Sequence, residues 1–161
     1  MGNSTSKHLD GIADYRSALD ALCGLAQHSL MLFERDFDGL GFNSEARYES
    51  LRGFLLASRR NRLLVLAHDT NHLATGCPRI AMLLRQFDDR MYIRRSAKHL
   101  LQVAEPFCVA DSAHYLRRFH FDDPRGLFVE NDPENARLLE SRFAEMWENS
   151  QPAMPTTTLG L

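Results

Sequence analysis

The sequence predicts an α/β domain with a mixed, largely parallel sheet and helices on both faces. Residues 63–67 form an apolar run without alternation, which is typical of a parallel strand buried on both faces. Strand and helix patterns alternate up to Met91, and this order favours right-handed crossovers between parallel strands. Later, Ser112-Ala113 is short enough for a hairpin turn, so we also expect an antiparallel part. A chain of 161 residues suits one domain with a real core.

The first half of the chain gives two helices and two strands. A helix at 12–27 has its apolar residues on one face, namely Ile12, Tyr15, Leu19, Leu22 and Ala26. The segment 29–34 is a predicted strand, and the loop after it contains two glycines. A second helix starts near Asn43-Ser44 and is followed by the buried strand at 63–67.

The second half continues with shorter elements and ends on a long helix. We predict, in order, a polar loop at 68–72, a helix opened by Pro78, a strand at 91–94, an irregular or short helical connection at 96–102, and strands at 107–110, 114–119 and 127–130. Asp132 as N-cap and Pro133 at the first helical position start the last helix. We expect a flexible N-terminus at 1–11, a single domain at 12–150 and a disordered tail at 151–161.

The order of the last elements resembles the C-terminal half of a phospholipase D-like domain. In that half a strand ending in Asp is followed by a hairpin partner, another strand and a helix that ends near F-x-x-x-W, here Phe143 to Trp147. The resemblance covers about residues 30–149. Active members carry H-x-K-x-x-x-x-D, and counting back from Asp111 puts Ala104 at the histidine position and Pro106 at the lysine position. The chain is most similar to small uncharacterised bacterial domains that have lost this motif.

The resemblance implies a catalytically degenerate domain that acts as a binding or regulatory module. Ala104 and Pro106 cannot act as nucleophile or as cation, because neither side chain donates, accepts or carries charge. Similar degenerate domains are attached to acetyltransferases, which implies a protein partner or a small anionic ligand. Single halves of this kind pair about a twofold axis, so we expect a homodimer, with Leu101 and Phe119 among its apolar contacts. The alternative is a diverged phosphodiesterase or hydrolase that uses a histidine with Asp111.

Ligands of such sheets bind outside the carboxyl ends of the parallel strands, and this places the candidate ligand-binding residues. The candidates are His68, Asp69, Arg79, Arg94, His99, Asp111 and Arg117. The arginines suit bidentate contacts with phosphate or carboxylate, although charges on a solvent-facing sheet edge are an equally good interpretation. His68 and His72 lack a third ligand nearby, so we expect no metal site, and no motif indicates a cofactor.

Composition narrows the class of protein further. The net charge of −2 leaves only the middle of the chain mildly basic, so nucleic-acid binding is a weaker, second alternative. No apolar run approaches the roughly 20 residues that span a bilayer. Cys23, Cys77 and Cys108 form no C-x-x-C pair, and we interpret Cys23 and Cys108 as core residues of a cytoplasmic protein.

Overall fold

One eight-stranded sheet, in the order β1-β7-β6-β5-β2-β3-β4-β8, forms the centre of the computed structural model, which describes residues 3–154. The strands are β1 (Thr5–Leu9), β2 (Ser29–Glu34), β3 (Arg62–Ala67), β4 (Met91–Arg95), β5 (Phe107–Ala110), β6 (His114–His120), β7 (Asp123–Glu130) and β8 (Gln151–Pro152). The helices are α1 (Ile12–Leu25), α2 (Glu45–Ala57), α3 (Asn71–Gly76), α4 (Pro78–Gln86) and α5 (Pro133–Glu148), with a single 3-10 turn at Lys98–Leu100.

The predicted α/β class with helices on both faces is confirmed, but the prediction of a largely parallel sheet is wrong. Only β2 with β3 and β3 with β4 pair in parallel, and every other neighbouring pair in the described sheet is antiparallel. Within the described residues, helical crossovers between neighbouring strands occur only from β2 to β3 and from β3 to β4, whereas α1 and α5 connect strands that are not neighbours. The strands β5, β6 and β7 follow one another through short turns, and a short turn can only join antiparallel strands. The sheet is therefore mostly antiparallel.

The two faces of the sheet bury separate apolar clusters. Leu30 and Leu32 of β2 face the cluster that α1, α2 and α4 cover, which we call the α1 face. Phe33 points to the other side, the α5 face, where Phe143 and Met146 of the last helix pack. Successive side chains of β2 point to opposite faces, so this central strand contributes residues to both clusters.

The ends of the chain join the edges of the sheet. Residues 5–9, within the segment predicted to be flexible, form β1 and pair with β7 from Thr5↔Glu130 to Leu9↔Gly126. Gln151 and Pro152, within the tail predicted to be disordered, form β8 beside β4. Residues 155–161 of that tail lie outside the described residues.

The helix starts follow their capping residues. Ser44 Oγ accepts a hydrogen bond from the Arg47 N–H at 3.1 Å at the start of α2, and Asp132 accepts one from the Asn135 N–H at the start of α5. The predicted loop at 68–72 is shorter than expected, because the short helix α3 already begins at Asn71. In the described part of the chain, no helix is both long and apolar enough to cross a bilayer.

Candidate functional site

The carboxyl ends of the parallel strands lie at one edge of the sheet, which we call the carboxyl edge. β2 ends there at Glu34, β3 at Ala67 and β4 at Arg95. Because β5 and β6 run antiparallel to their neighbours, the start of β5 at Phe107 and the last residues of β6 reach the same edge. The site expected from the fold is therefore built from these strand ends and from the connection at 96–106.

His68, directly after β3, is held at this edge through both ring nitrogens. Nε2 lies 2.7 Å from the Val103 carbonyl oxygen, and Nδ1 contacts the Ser96 hydroxyl. A carbonyl oxygen only accepts, so Nε2 carries the proton and Nδ1 accepts from Ser96. Burial lowers the pKa of His68 below 6.5, partly opposed by the bond to Val103, and this favours the neutral ring. His68 thereby fastens both ends of the connection to the sheet.

An aromatic cluster fills the space around His68. The rings of Phe33 and Phe121 meet the imidazole nearly edge to face, with centroids 5.2 and 5.5 Å away. Phe121, in the turn between β6 and β7, is only 7% exposed. Apolar packing, and not an open cleft, therefore surrounds the imidazole at this edge.

Backbone hydrogen bonds tie the end of β6 and the β6–β7 turn to the positions that the resemblance assigns to catalysis. The Phe121 N–H donates to the Ala104 carbonyl at 2.8 Å, and the Arg118 N–H donates to the Pro106 carbonyl at 3.1 Å. Ala104 is half-buried and Pro106 is buried. Both positions thus belong to a covered, hydrogen-bonded part of the carboxyl edge.

A buried polar network lies under the same edge on the α1 face. The Tyr15 hydroxyl donates to Glu34 Oε2 at 2.5 Å, and Arg118 Nη2 donates to Glu34 Oε1 at 2.6 Å. The Arg118 guanidinium also lies 4.6 Å from the centre of the Tyr15 ring, and its Nη1 donates to the Phe121 carbonyl. Arg118 thus joins β2, α1 and the β6–β7 turn.

Burial dominates the titration of this network. It raises the pKa of Glu34 to about 6, although Arg118 and the Tyr15 hydroxyl favour the charged carboxylate. Burial, followed by the charge of Glu34, also raises the pKa of Tyr15 well above 10. For Arg118, burial lowers the pKa, but the charges and hydrogen bonds of Glu34 and Tyr15 together outweigh it, so the pKa is raised and the guanidinium stays charged.

Three cationic residues at the carboxyl edge have acidic partners. Arg35 contacts Asp122 at 3.1 Å, and Arg117 lies 3.6 Å from Glu105. His120 lies 3.7 Å from Asp122, which it meets as an ion pair only when protonated. Such exposed pairs contribute little to stability, but they reduce the positive field that an anion would meet at this edge.

Three further predicted candidates lie near the carboxyl edge without forming a cleft with His68. Asp69 accepts the Asn71 N–H at 2.8 Å and so caps α3. Arg94 Nε and Nη2 each lie 2.6 Å from Ser150 oxygens, with the guanidinium over the Trp147 ring. His99 is exposed in the 3-10 turn. Arg94 therefore holds the C-terminal segment, and His99 faces solvent.

Asp111 and Arg79 lie elsewhere. Asp111 follows β5 at the opposite edge, where its carboxylate accepts the backbone N–H groups of Gln27, His28 and Ser29 at 2.7–3.1 Å. The six residues of β2 separate the two edges, about 20 Å at 3.3 Å per residue, so Asp111 cannot meet His68. Arg79 binds the Asn43 backbone carbonyl in the loop before α2. In the described residues, no group of three His, Cys, Asp or Glu side chains could hold a metal ion.

Sequence reasoning missed four residues of this site. Ser96 lies in a connection that has no regular pattern of apolar residues. Tyr15 was interpreted only as a core residue on the apolar face of the first helix. Glu34 was recognised only as a strand end. Side chains alternate along a strand, so Arg117 and Arg118 point to opposite faces, but the sequence does not show that Arg118 is the buried member. The alternation in His114–His120 was the one available signal, since Leu116 shares the face of Arg118.

Several solved structures share this fold. A phospholipase D family member, Nuc from Salmonella typhimurium, superposes with a TM-score of 0.68 at 9% identity, over 94% of this chain and 99% of that chain. The archaeal chromatin protein TrmBL2 gives 0.68 at 13% identity, over 92% of this chain and 54% of its own. NucT from Helicobacter pylori gives 0.58 at 13% identity, over 94% and 100%. The chain therefore has the phospholipase D-like fold.

The family of the chain is shown by comparison of its sequence with models of protein families. None of the curated proteins compared with the chain matches it. A family model described as "Domain of unknown function (DUF7931)" matches residues 12–159, nearly the whole chain. The chain belongs to this family, DUF7931.

Proposed function

We propose that this chain is a non-catalytic phospholipase D-like domain that serves as a binding or regulatory module for a small anionic ligand or a protein partner. One observation carries the proposal. The carboxyl edge at Ala104 and Pro106 is closed by the end of β6 and the β6–β7 turn, where the N–H groups of Arg118 and Phe121 bind the two carbonyls. Phosphodiester chemistry of this kind needs a nucleophile and a cation at the phosphorus, and these two residues supply neither.

The other groups at this edge do not replace the missing ones. Nε2 of His68 carries the proton and donates it to Val103, so this nitrogen has no free lone pair for attack. Ser96 against the neutral ring of His68 has the form of an activated nucleophile. However, Ser96 is only 5% exposed, beneath the connection that it helps to fasten. A substrate would have to open the connection to reach it.

The test is turnover of a generic phosphodiester, bis(p-nitrophenyl) phosphate, by the purified chain. We expect no turnover above buffer. Turnover that disappears in His99→Ala or His68→Ala would establish the diverged hydrolase instead. A variant at exposed Arg137, on the far helix α5, serves as the control for a contaminating phosphatase, whose activity would persist in all variants.

The proposal includes pairing into a homodimer across the carboxyl edge. Leu101 and Phe119 are 50% and 46% exposed near this edge. Large apolar side chains exposed on a surface favour its burial by a second protein molecule. With no catalytic pair to assemble, such an interface would depend on apolar contact.

Nucleic-acid binding is the second candidate. It draws on the similarity of fold to TrmBL2, whose structure shows "a novel mode of DNA binding". Binding of a duplex that weakens steeply with rising salt would support this candidate. No shift of a labelled duplex at low salt would remove it.

A further inference from the structure

The loop at residues 35–44, between β2 and α2, brings two arginines together on the α1 face. Gly39 and Gly41 lie in this loop with φ of +76° and +75°. A residue with a side chain is disfavoured at such φ, so the loop keeps its shape through glycine. Neither Arg16 of α1 nor Arg47 of α2, which flank Gly41, belongs to the carboxyl-edge candidates.

Guanidinium nitrogens surround the bare side of Gly41. At the point where a Cβ on Gly41 would lie, the three nearest atoms are Arg16 Nη2 at 3.4 Å, Arg16 Nε at 3.8 Å and Arg47 Nη2 at 3.9 Å. Two guanidinium groups thus approach this glycine with no side chain between them. A planar guanidinium presents parallel N–H donors, which suits the oxygens of a phosphate or carboxylate.

Arg47 is unusual for an arginine of a helix, because its side chain is buried and only 2% exposed. Its Nε and Nη2 bind Asp20 Oδ1 at 2.9 and 2.7 Å, and its guanidinium lies 4.7 Å from the centre of the Phe42 ring. Nη1 is buried and has no acceptor. A buried donor without a partner is costly, so this guanidinium is fixed in place with donor capacity left over.

Of the two arginines beside Gly41, one has no carboxylate partner in the described part of the chain, although Asp36 and Asp38 lie in the same loop. Asp20 is the carboxylate bound to Arg47, whereas exposed Arg16 makes no ion pair with any residue that the structure describes. α2 starts nearby, since the N–H of its N-cap Ser44 donates to the Gly41 carbonyl at 3.2 Å. The positive end of a 13-residue helix adds to the same field.

We infer that Arg16, Arg47 and Gly41 form a binding site for a small oxyanion of the phosphate type, as carried by a phosphomonoester. Arg16 is the adjustable contact because it is exposed, and Arg47 is the preformed one. The inference rests on the proposed binding function and places its anionic ligand on the α1 face, beside the loop that follows β2 and not at Ala104 and Pro106.

The test is a titration of the full chain with inorganic phosphate at constant ionic strength, followed by the backbone amide signals in NMR. We expect saturable shifts at Gly41, Asn43 and Ser44. Arg16→Gln should weaken binding about tenfold, since it removes charge-assisted hydrogen bonds. Arg16 is exposed, so this variant should fold. Arg137→Gln, at a matched exposed arginine of α5, should bind like the original chain.

Each result decides the inference. Equal affinity in the Arg16→Gln variant, equal loss in the Arg137→Gln variant, shifts confined to the connection at 96–106, or no saturable shift would each overturn this site. The proposed function fails by a different readout, namely phosphodiester turnover. A chain that neither turns over the diester nor binds phosphate beside Gly41 would overturn the site and leave a protein partner as the ligand of the module.

Discussion

Glu34 and Arg118 form an ion pair that is almost completely buried, with Oε1 and Nη2 2.6 Å apart and side chains 2% and 8% exposed. The pair connects the end of the central strand β2 to the end of β6. Removing one partner of such a pair leaves the other charge uncompensated in the interior. Folding of the carboxyl edge should therefore depend on both residues together.

The free energy of unfolding should fall between pH 4.5 and 6 because of Glu34. The folded chain raises the pKa of this carboxyl from 4.5 to about 6, so it holds the proton more tightly than the unfolded chain does. Stability from this group is thus fully present below pH 4.5 and is lost as the pH rises through 6, by about 2 kcal/mol. Urea denaturation across this range measures it.

The matched variant for this prediction is Glu34→Gln, which lacks the titration. At pH 7 it should be at least as stable as the original chain, by up to about 2 kcal/mol, because its neutral amide stands in for the protonated carboxyl that the folded chain prefers. The contribution of His68 to the pH dependence of stability has the opposite sign, because the lowered pKa of this histidine reduces the free energy of unfolding as the pH falls. The Glu34 contribution is therefore read as the difference between the two proteins. The same slope in both would exclude Glu34 as its source.

Asp111→Ala should destabilise the fold by about 1–3 kcal/mol, since three backbone N–H groups lose their acceptor. Asp111 also has a φ of 58°, which Asn tolerates better than Ala. Asp111→Asn keeps an acceptor oxygen and should cost less. Chemical denaturation of both variants gives the comparison, and an equal loss would argue against the carboxylate as the clamp.

Gly126→Ala should prevent folding or cost well over about 3 kcal/mol, because its Cβ would lie 2.1 Å from the Arg117 carbonyl oxygen. Neither backbone can move without breaking the pairing of β6 with β7. Gly53→Ala in α2 is the control, since nothing lies within 4 Å of its Cβ. That variant should gain about 0.5–1 kcal/mol. Thermal melts of the two variants should shift in opposite directions.

The homodimer predicts a mass near twice 18.4 kDa in light scattering at micromolar concentration. Leu101→Asp should halve this mass, because it places a charge in the proposed apolar interface. Leu138→Asp changes a leucine that is 66% exposed on α5 and should leave the mass unchanged. A monomer mass for the original chain across this concentration range would rule out the pairing.

Local patterns in the sequence predicted most of the elements but not the directions of the strands. The strand at 29–34 and the caps Ser44 and Asp132 depend on neighbouring residues, and they were predicted closely. The position of β5 beside β2, and not beside β4, depends on contacts between distant parts of the chain, which no local period reveals. The sheet was for this reason expected to be largely parallel.

The candidate site was harder to predict for the same reason. Ends of parallel strands do meet at one edge, so His68 was placed correctly beside the strand end. Asp111 also follows a strand, but β5 is antiparallel, and its end lies at the other edge. The partners of Arg118 come from α1 and β2, so only the folded chain shows why this arginine is inside.

The pairing of β1 with β7 has a consequence for synthesis on the ribosome. Thr5 leaves the exit tunnel early, but its partner Glu130 is made only near the end of the chain. Until then β1 has no neighbour, while β2, β3 and β4 can already assemble with their helices. The outer edge of the sheet should therefore form late. A nascent chain stalled before β7 lacks Phe128, so the part of the sheet that Phe128 later covers should be exposed to chaperones.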